Sequence, residues 1–151
     1  MTSSRSISAL IRTRAVVDLV YPPGTVSIES LSGAPVVGQP AEDSCGLIID
    51  RQLERLGVTP HYGFRSHDNG VVQGMVGAGM GVAIMPLFSV DIHDRATSIR
   101  TTEPALAPRD LSIVWGQGRT LSPLAKKFAN IVAEVCADLL AQLESPGVEA
   151  V

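Results

Sequence analysis

A chain of 151 residues has the length of one domain and can bury a core without disulfide or metal staples. Apolar residues make up 45%, charged residues 18% and aromatics 4%, which predicts an aliphatic globular interior and excludes a disordered chain. A formal net charge of -3 excludes a broad phosphate-binding face, because nucleic-acid affinity comes mainly from clustered lysine and arginine.

Residues 1–13 begin serine-rich and read as a disordered or non-native segment. Arg14–Tyr21 has the β-branched enrichment of a strand, ended by Pro22-Pro23-Gly24. Val26–Gly33 reads as one helical turn closed by glycine, and Pro35–Gly38 as a short buried strand. Gln39 to Asp43 form a polar loop. Asp43 or Ser44 then caps a helix in which Leu47, Ile48, Leu53 and Leu56 are expected to face the core, with Gly57 as the stop. His61–Ser66 alternates as a strand should, and Ser66 or Asp68 caps the next helix.

That helix leads through Gly77-Ala78-Gly79-Met80-Gly81 into an apolar run, Val82–Met85, closed by Pro86. Glycine tolerates the positive φ that such a tight turn needs, so the segment reads helix, turn, buried strand. From Pro35 to Pro86 the order is strand, helix, strand, helix, strand, the signature of βαβ units on a parallel sheet. The fold class is therefore α/β, with a Rossmann-like unit at the middle of the chain. After a polar bridge containing Asp91, His93, Asp94 and Arg95, Thr97–Thr102 and Leu111–Trp115 are expected strands. Ser122-Pro123 opens a helix running to about Leu143. Its apolar set, Leu124, Phe128, Ile131, Val132, Val135, Leu139, Leu140 and Leu143, is wider than one neighbouring strand can cover.

The ordered set of segments resembles the effector-binding region of LysR-type bacterial transcriptional regulators. The pieces that carry the resemblance run from Val16 to Leu143: an apolar strand ended by Pro-Pro-Gly; Ser-Ile-Glu-Ser-Leu-Ser-Gly-Ala-Pro-Val-Val; and a helix ending Leu-Glu-Arg-Leu-Gly-Val-Thr-Pro. The Val72–Pro86 helix, turn and strand follow, then Leu111–Trp115 and the Leu121-Ser122-Pro123 helix start. The resemblance implies the periplasmic-binding-protein type 2 fold, in which two Rossmann-like subdomains are joined by crossing strands and an effector binds between them. It assigns residues 14–110 to subdomain two with a crossing strand, 111–144 to a return strand and closing helix of a partial subdomain one, and 145–151 to a disordered tail. It implies a cytoplasmic, homo-oligomeric regulatory domain, not an enzyme, whose partner is a small-molecule effector. DNA would be contacted only through a winged helix-turn-helix domain that these residues do not encode. Dimerisation or interference without ligand binding is the alternative, and a small α/β enzyme a remote one.

The residues themselves offer little catalytic chemistry. Gly74, Gly77, Gly79 and Gly81 superficially suggest a phosphate loop, but such a loop follows a strand and opens a helix, the reverse of the order here. Ser66-His67-Asp68 has the letters of a hydrolytic triad, yet consecutive residues cannot point at one another as a triad requires. His61, His67 and His93 are too scattered for a metal site, Cys45 and Cys136 lack metal or redox spacing, and no cofactor is implied. The N-terminus lacks the apolar core of a signal peptide, and no stretch approaches the roughly 20 apolar residues of a membrane span.

Ligands of open α/β sheets sit at the carboxyl ends of strands, where loop side chains and helix N-termini converge. Here those loops are Gln39–Cys45 and Ser66–Asn69, which by resemblance form one wall of the effector cleft. Gln39, Ser44, Cys45, Ser66, His67 and Asp68 are the expected contacts. Two helix N-termini facing one cleft would favour an anionic ligand group such as a carboxylate.

Overall fold

Val36 and Val37 are adjacent in sequence, and adjacent side chains of an extended strand leave opposite faces of its sheet. Both are 1% exposed, so this sheet is covered on both sides. The computed structural model describes residues 5–11, 15–18, 24–107, 109–116 and 120–144. Its elements are β1 (Arg5–Ile11), β2 (Ala15–Asp18), β3 (Thr25–Ser27), a 3-10 turn (Ile28–Ser32), β4 (Pro35–Gly38), α1 (Ser44–Arg55) and β5 (His61–Arg65). They continue with α2 (Asn69–Gly77), β6 (Val82–Met85), a 3-10 turn (Leu87–Ser89), β7 (Ser98–Glu103), β8 (Arg109–Trp115) and α3 (Pro123–Glu144).

The chain divides into two compact units, Arg12–Pro108 and Met1–Ile11 with Arg109–Val151. The first holds a six-stranded sheet in the order β3-β7-β2-β6-β4-β5. β4, β5 and β6 are parallel, as the alternating pattern predicts, whereas β2 runs antiparallel to both of its neighbours, β6 and β7. Period-two alternation sorts the strand side chains into two cores. Val36, Val82 and Ile84 pack with Ile49 and Leu53 of α1 and with Ile28 and Leu31. Val37, Ala83 and Met85 pack with Val72 and Val76 of α2 on the other face. The chain thus leaves β4 on one side of the sheet to reach β5, and returns on the other side to reach β6.

The glycine turn takes the positive φ expected of it, +80° at Gly79 and +145° at Gly81. Gly81 is doubly constrained, since a Cβ there would lie 2.2 Å from the Pro35 carbonyl oxygen. Two expectations are corrected. The core-facing stripe of α1 is Gly46, Ile49 and Leu53, while Leu47, Ile48 and Leu56 are exposed. Gly46 lies so close to the Pro40 carbonyl that a Cβ would come within 2.2 Å of its oxygen, so no larger residue fits at this point of the core-facing side. The N-terminal segment expected to be disordered contains β1.

β1 pairs antiparallel with β8 from Arg5↔Trp115 to Ile11↔Arg109 as the two-stranded sheet of the second unit. The Ser6-Ile7-Ser8-Ala9 alternation is that of a strand, hidden by its serine content. α3 packs on β1 in this unit, with Ser122 Oγ accepting a hydrogen bond from the Ala125 amide at its start. Ala129 is buried, while Leu124, Phe128, Ile131, Val135 and Leu139 form an exposed apolar stripe. The expected tail, 145–151, lies outside the described residues, as do Leu19–Pro23 at the end of the first expected strand.

Candidate functional site

The chain turns out of β4 at Gly38 and out of β5 at Arg65, and these two strands are neighbours. Their carboxyl ends are pinned together by the Ser66 amide, which donates to the Gly38 carbonyl at 2.9 Å. Because α1 and α2 lie on opposite faces, the loops that follow these two strands part to opposite sides of the sheet, and the gap between them is the candidate crevice. The loops are Gln39–Asp43, leading to α1, and Ser66–Asp68, leading to α2.

Side chains tie the loops to one another at two places. Gln39 is 9% exposed, and its Nε2 donates to Asn69 Oδ1 at 2.5 Å, while its Oε1 is buried without a hydrogen-bond partner among the described residues. His67 Nδ1 lies 2.8 Å from Asp43 Oδ2, on the exposed side of the crevice. Of the six expected contacts, Gln39, Ser66, His67 and Asp68 therefore lie on interconnected loops, and Ser44 and Cys45 are the first two residues of α1.

Asp68 has a definite local task. Its Oδ1 accepts from the Gly70 and Val71 amides at 2.8 and 3.1 Å, capping α2, and Ser66 Oγ accepts from the Asp68 amide at 3.1 Å. The α2 amides that would attract an anion are thus already served by a carboxylate. At α1 the N-cap Asp43 makes no side-chain capping bond and turns instead to His67. The first amides of α1 are thus left without a side-chain cap from Asp43.

Behind the loops is a cluster that the sequence reading missed. Arg65 Nη2 pairs with Asp50 Oδ2 of α1 at 3.0 Å, and Arg65 Nη1 donates to the Gln39 carbonyl at 2.5 Å. Its guanidinium stacks on the Tyr62 ring at 3.5 Å, and Tyr62 donates its hydroxyl to Asp50 Oδ1 at 2.5 Å. Burial, followed by the bond to Asp50 and its charge, pushes the Tyr62 phenol above its ordinary value of 10.0. A small cavity of about 10 Å³ borders Gln39, Gly46 and Tyr62. Tyr62 and Arg65 stand three apart on one strand, which gave no hint that a helical aspartate would join them.

The polar bridge is held in place by a side chain of α2. Gln73, 5% exposed, donates to the Asp91 carbonyl, Asp94 Oδ2 and Thr97 Oγ1, and accepts from the Asp91 amide. This network fastens α2 to the 91–97 loop. Among the described residues no group of three or more His, Cys, Asp or Glu could hold a metal ion, and no helix is long and apolar enough to cross a membrane.

Known proteins share this fold. The regulatory domain of Synechocystis PCC6803 CcmR in complex with 2-PG superposes with a TM-score of 0.74 at 15% identity, covering 89% of this chain and 68% of that one. The effector binding domain of QuiR in complex with shikimate gives 0.64 at 16% identity, covering 87% and 66%. In sequence the chain is 30% identical over 86 residues to the uncharacterized HTH-type transcriptional regulator YybE of Bacillus subtilis (strain 168), an alignment covering 57% of this chain and 29% of that relative. Residues 15–137 match the LysR substrate binding domain, a regulatory and not an enzymatic module. With most of its length matched, the chain belongs to the LysR substrate binding domain family, and its architecture is that family's periplasmic-binding-protein type 2 α/β fold.

Proposed function

We propose that this chain senses a small-molecule effector through the loops Gln39–Cys45 and Ser66–Asn69, and that in the whole protein this binding is coupled to transcription control. The observation that carries the reading is the crevice at the carboxyl ends of β4 and β5, with Gln39, Asp43, His67 and Asn69 already linked across it. Two fold relatives solved with small molecules, 2-PG and shikimate, support it. Gln39, Ser44, Cys45, Ser66 and His67 supply the contacts, and Asp68 holds the α2 end of the wall. A carboxylate is the favoured ligand group: it would replace Asp43 as the partner of His67, next to the positive end of the α1 dipole.

By this reading residues 14–110 are subdomain two with a crossing strand, and residues 111–144, the return strand and α3, belong to a partial subdomain one. The whole protein works as a cytoplasmic homo-oligomer that reaches DNA through a helix-turn-helix domain of the kind named in its relative. Titration of acetate, succinate and benzoate by calorimetry tests the ligand class. Saturable heat from at least one, lost in His67→Ala, is expected; absence of heat from all three contradicts it.

A second reading, dimerisation or interference without a ligand, is favoured by the stripe Leu124, Phe128, Ile131, Val135 and Leu139 on α3. Sedimentation at several concentrations tests it, since a concentration-independent monomer is its refutation.

A further inference from the structure

We propose that Arg65 is a positioning residue for the ligand wall: locked against Asp50 and stacked on Tyr62, its guanidinium holds the Gln39 carbonyl and so fixes the Gln39–Asp43 loop for its ligand. The inference rests on the wall proposed above and adds the means by which that wall keeps its shape.

Three observations converge on it. Arg65 is the last residue of β5, and the next amide, Ser66, bonds Gly38, so two consecutive carbonyls at the end of β4 are gripped from β5: Gly38 by main chain and Gln39 by side chain. The grip is anchored behind, because Asp50 receives both Arg65 Nη2 and the Tyr62 hydroxyl through its two oxygens. Finally, the Tyr62 ring lies against Gly38 so closely that a Cβ there would come within 2.5 Å of it. The loop is therefore packed from below as well as bonded.

Only a planar fork of donors can meet the Asp50 carboxylate with one nitrogen, a carbonyl with another and an aromatic face with its plane. A lysine ammonium can satisfy one of these sites but lacks the fork and the plane. The Asp50 and Arg65 side chains are 26% and 27% exposed, so water screens this pair less than it does an ordinary surface pair.

The test uses the full 151-residue chain and the variants Arg65→Lys, Asp50→Asn and Tyr62→Phe, read by amide hydrogen exchange in NMR spectra. Losing a charge-assisted bond of this kind is expected to speed exchange at residues 41–46 about tenfold in Arg65→Lys and Asp50→Asn. Val72 and Val76 in α2 should stay within about twofold, and Tyr62→Phe should give a smaller effect of the same pattern. Unchanged loop exchange, or a uniform rise that includes Val72 and Val76, overturns the proposal, the latter because it marks general destabilisation.

Titration with acetate, succinate and benzoate supplies the second arm. Binding about tenfold weaker in Arg65→Lys than in wild type is expected, and equal affinity overturns the positioning role. If the wild type binds none of the three, the carboxylate reading fails while loop exchange still decides the role of Arg65.

Discussion

Asp68 is the third residue beyond the end of β5, and its two bonds to the Gly70 and Val71 amides fix where α2 begins. Asp68→Ala should cost about 1 kcal/mol in urea unfolding, the usual loss when a capping carboxylate is removed. Tyr62 makes a pH prediction whose sign follows from its environment. Its phenol is raised above 10.0 in the folded chain, so the protonated form is favoured by folding. That contribution is complete below pH 10 and is lost as pH rises from there toward the raised value. Wild type should lose stability above pH 10 more steeply than Tyr62→Phe, as measured by thermal unfolding across alkaline pH. Gly81 is constrained by conformation and by contact, and Gly81→Ala should destabilise by about 2 kcal/mol or more in the same assay.

At the scale of elements, α1 is the informative case. Its existence, its start at Asp43 and its stop at Gly57 are legible in the sequence, since capping and glycine chemistry are local. Its rotation is legible in part: Leu53 is buried as expected, whereas Leu47, Ile48 and Leu56, spread over half the helix circumference, are exposed, and the set spaced by three and four, Gly46, Ile49 and Leu53, faces the core. Gly46 on that side approaches the Pro40 carbonyl so closely that a Cβ would lie 2.2 Å from its oxygen, a contact that no periodicity encodes. Leu53→Ala should therefore cost about 2–5 kcal/mol and Leu47→Ala less than about 1 kcal/mol by denaturant unfolding. β1 escaped notice for another reason: its partner β8 lies about a hundred residues away, and pairing over that distance leaves only a faint alternation in a serine-rich stretch. The loops of the candidate site were legible because strand ends can be placed from apolar runs. The Arg65–Asp50–Tyr62 cluster was not, because it joins a strand to a helix through side chains with no common sequence spacing.

For the whole molecule, the decisive feature is the sheet order. β4 lies between β5 and β6, and the two helices that connect them cover opposite faces, so the loops that follow β4 and β5 leave the sheet on opposite sides. The crevice is proposed as the place where the chain meets its effector, and chemical-shift mapping of the amides during titration with succinate and benzoate is the test. Saturable shifts confined to residues 39–46 and 66–71 are expected. Shifts centred instead on α3, or none with either carboxylate at millimolar concentration, would contradict it.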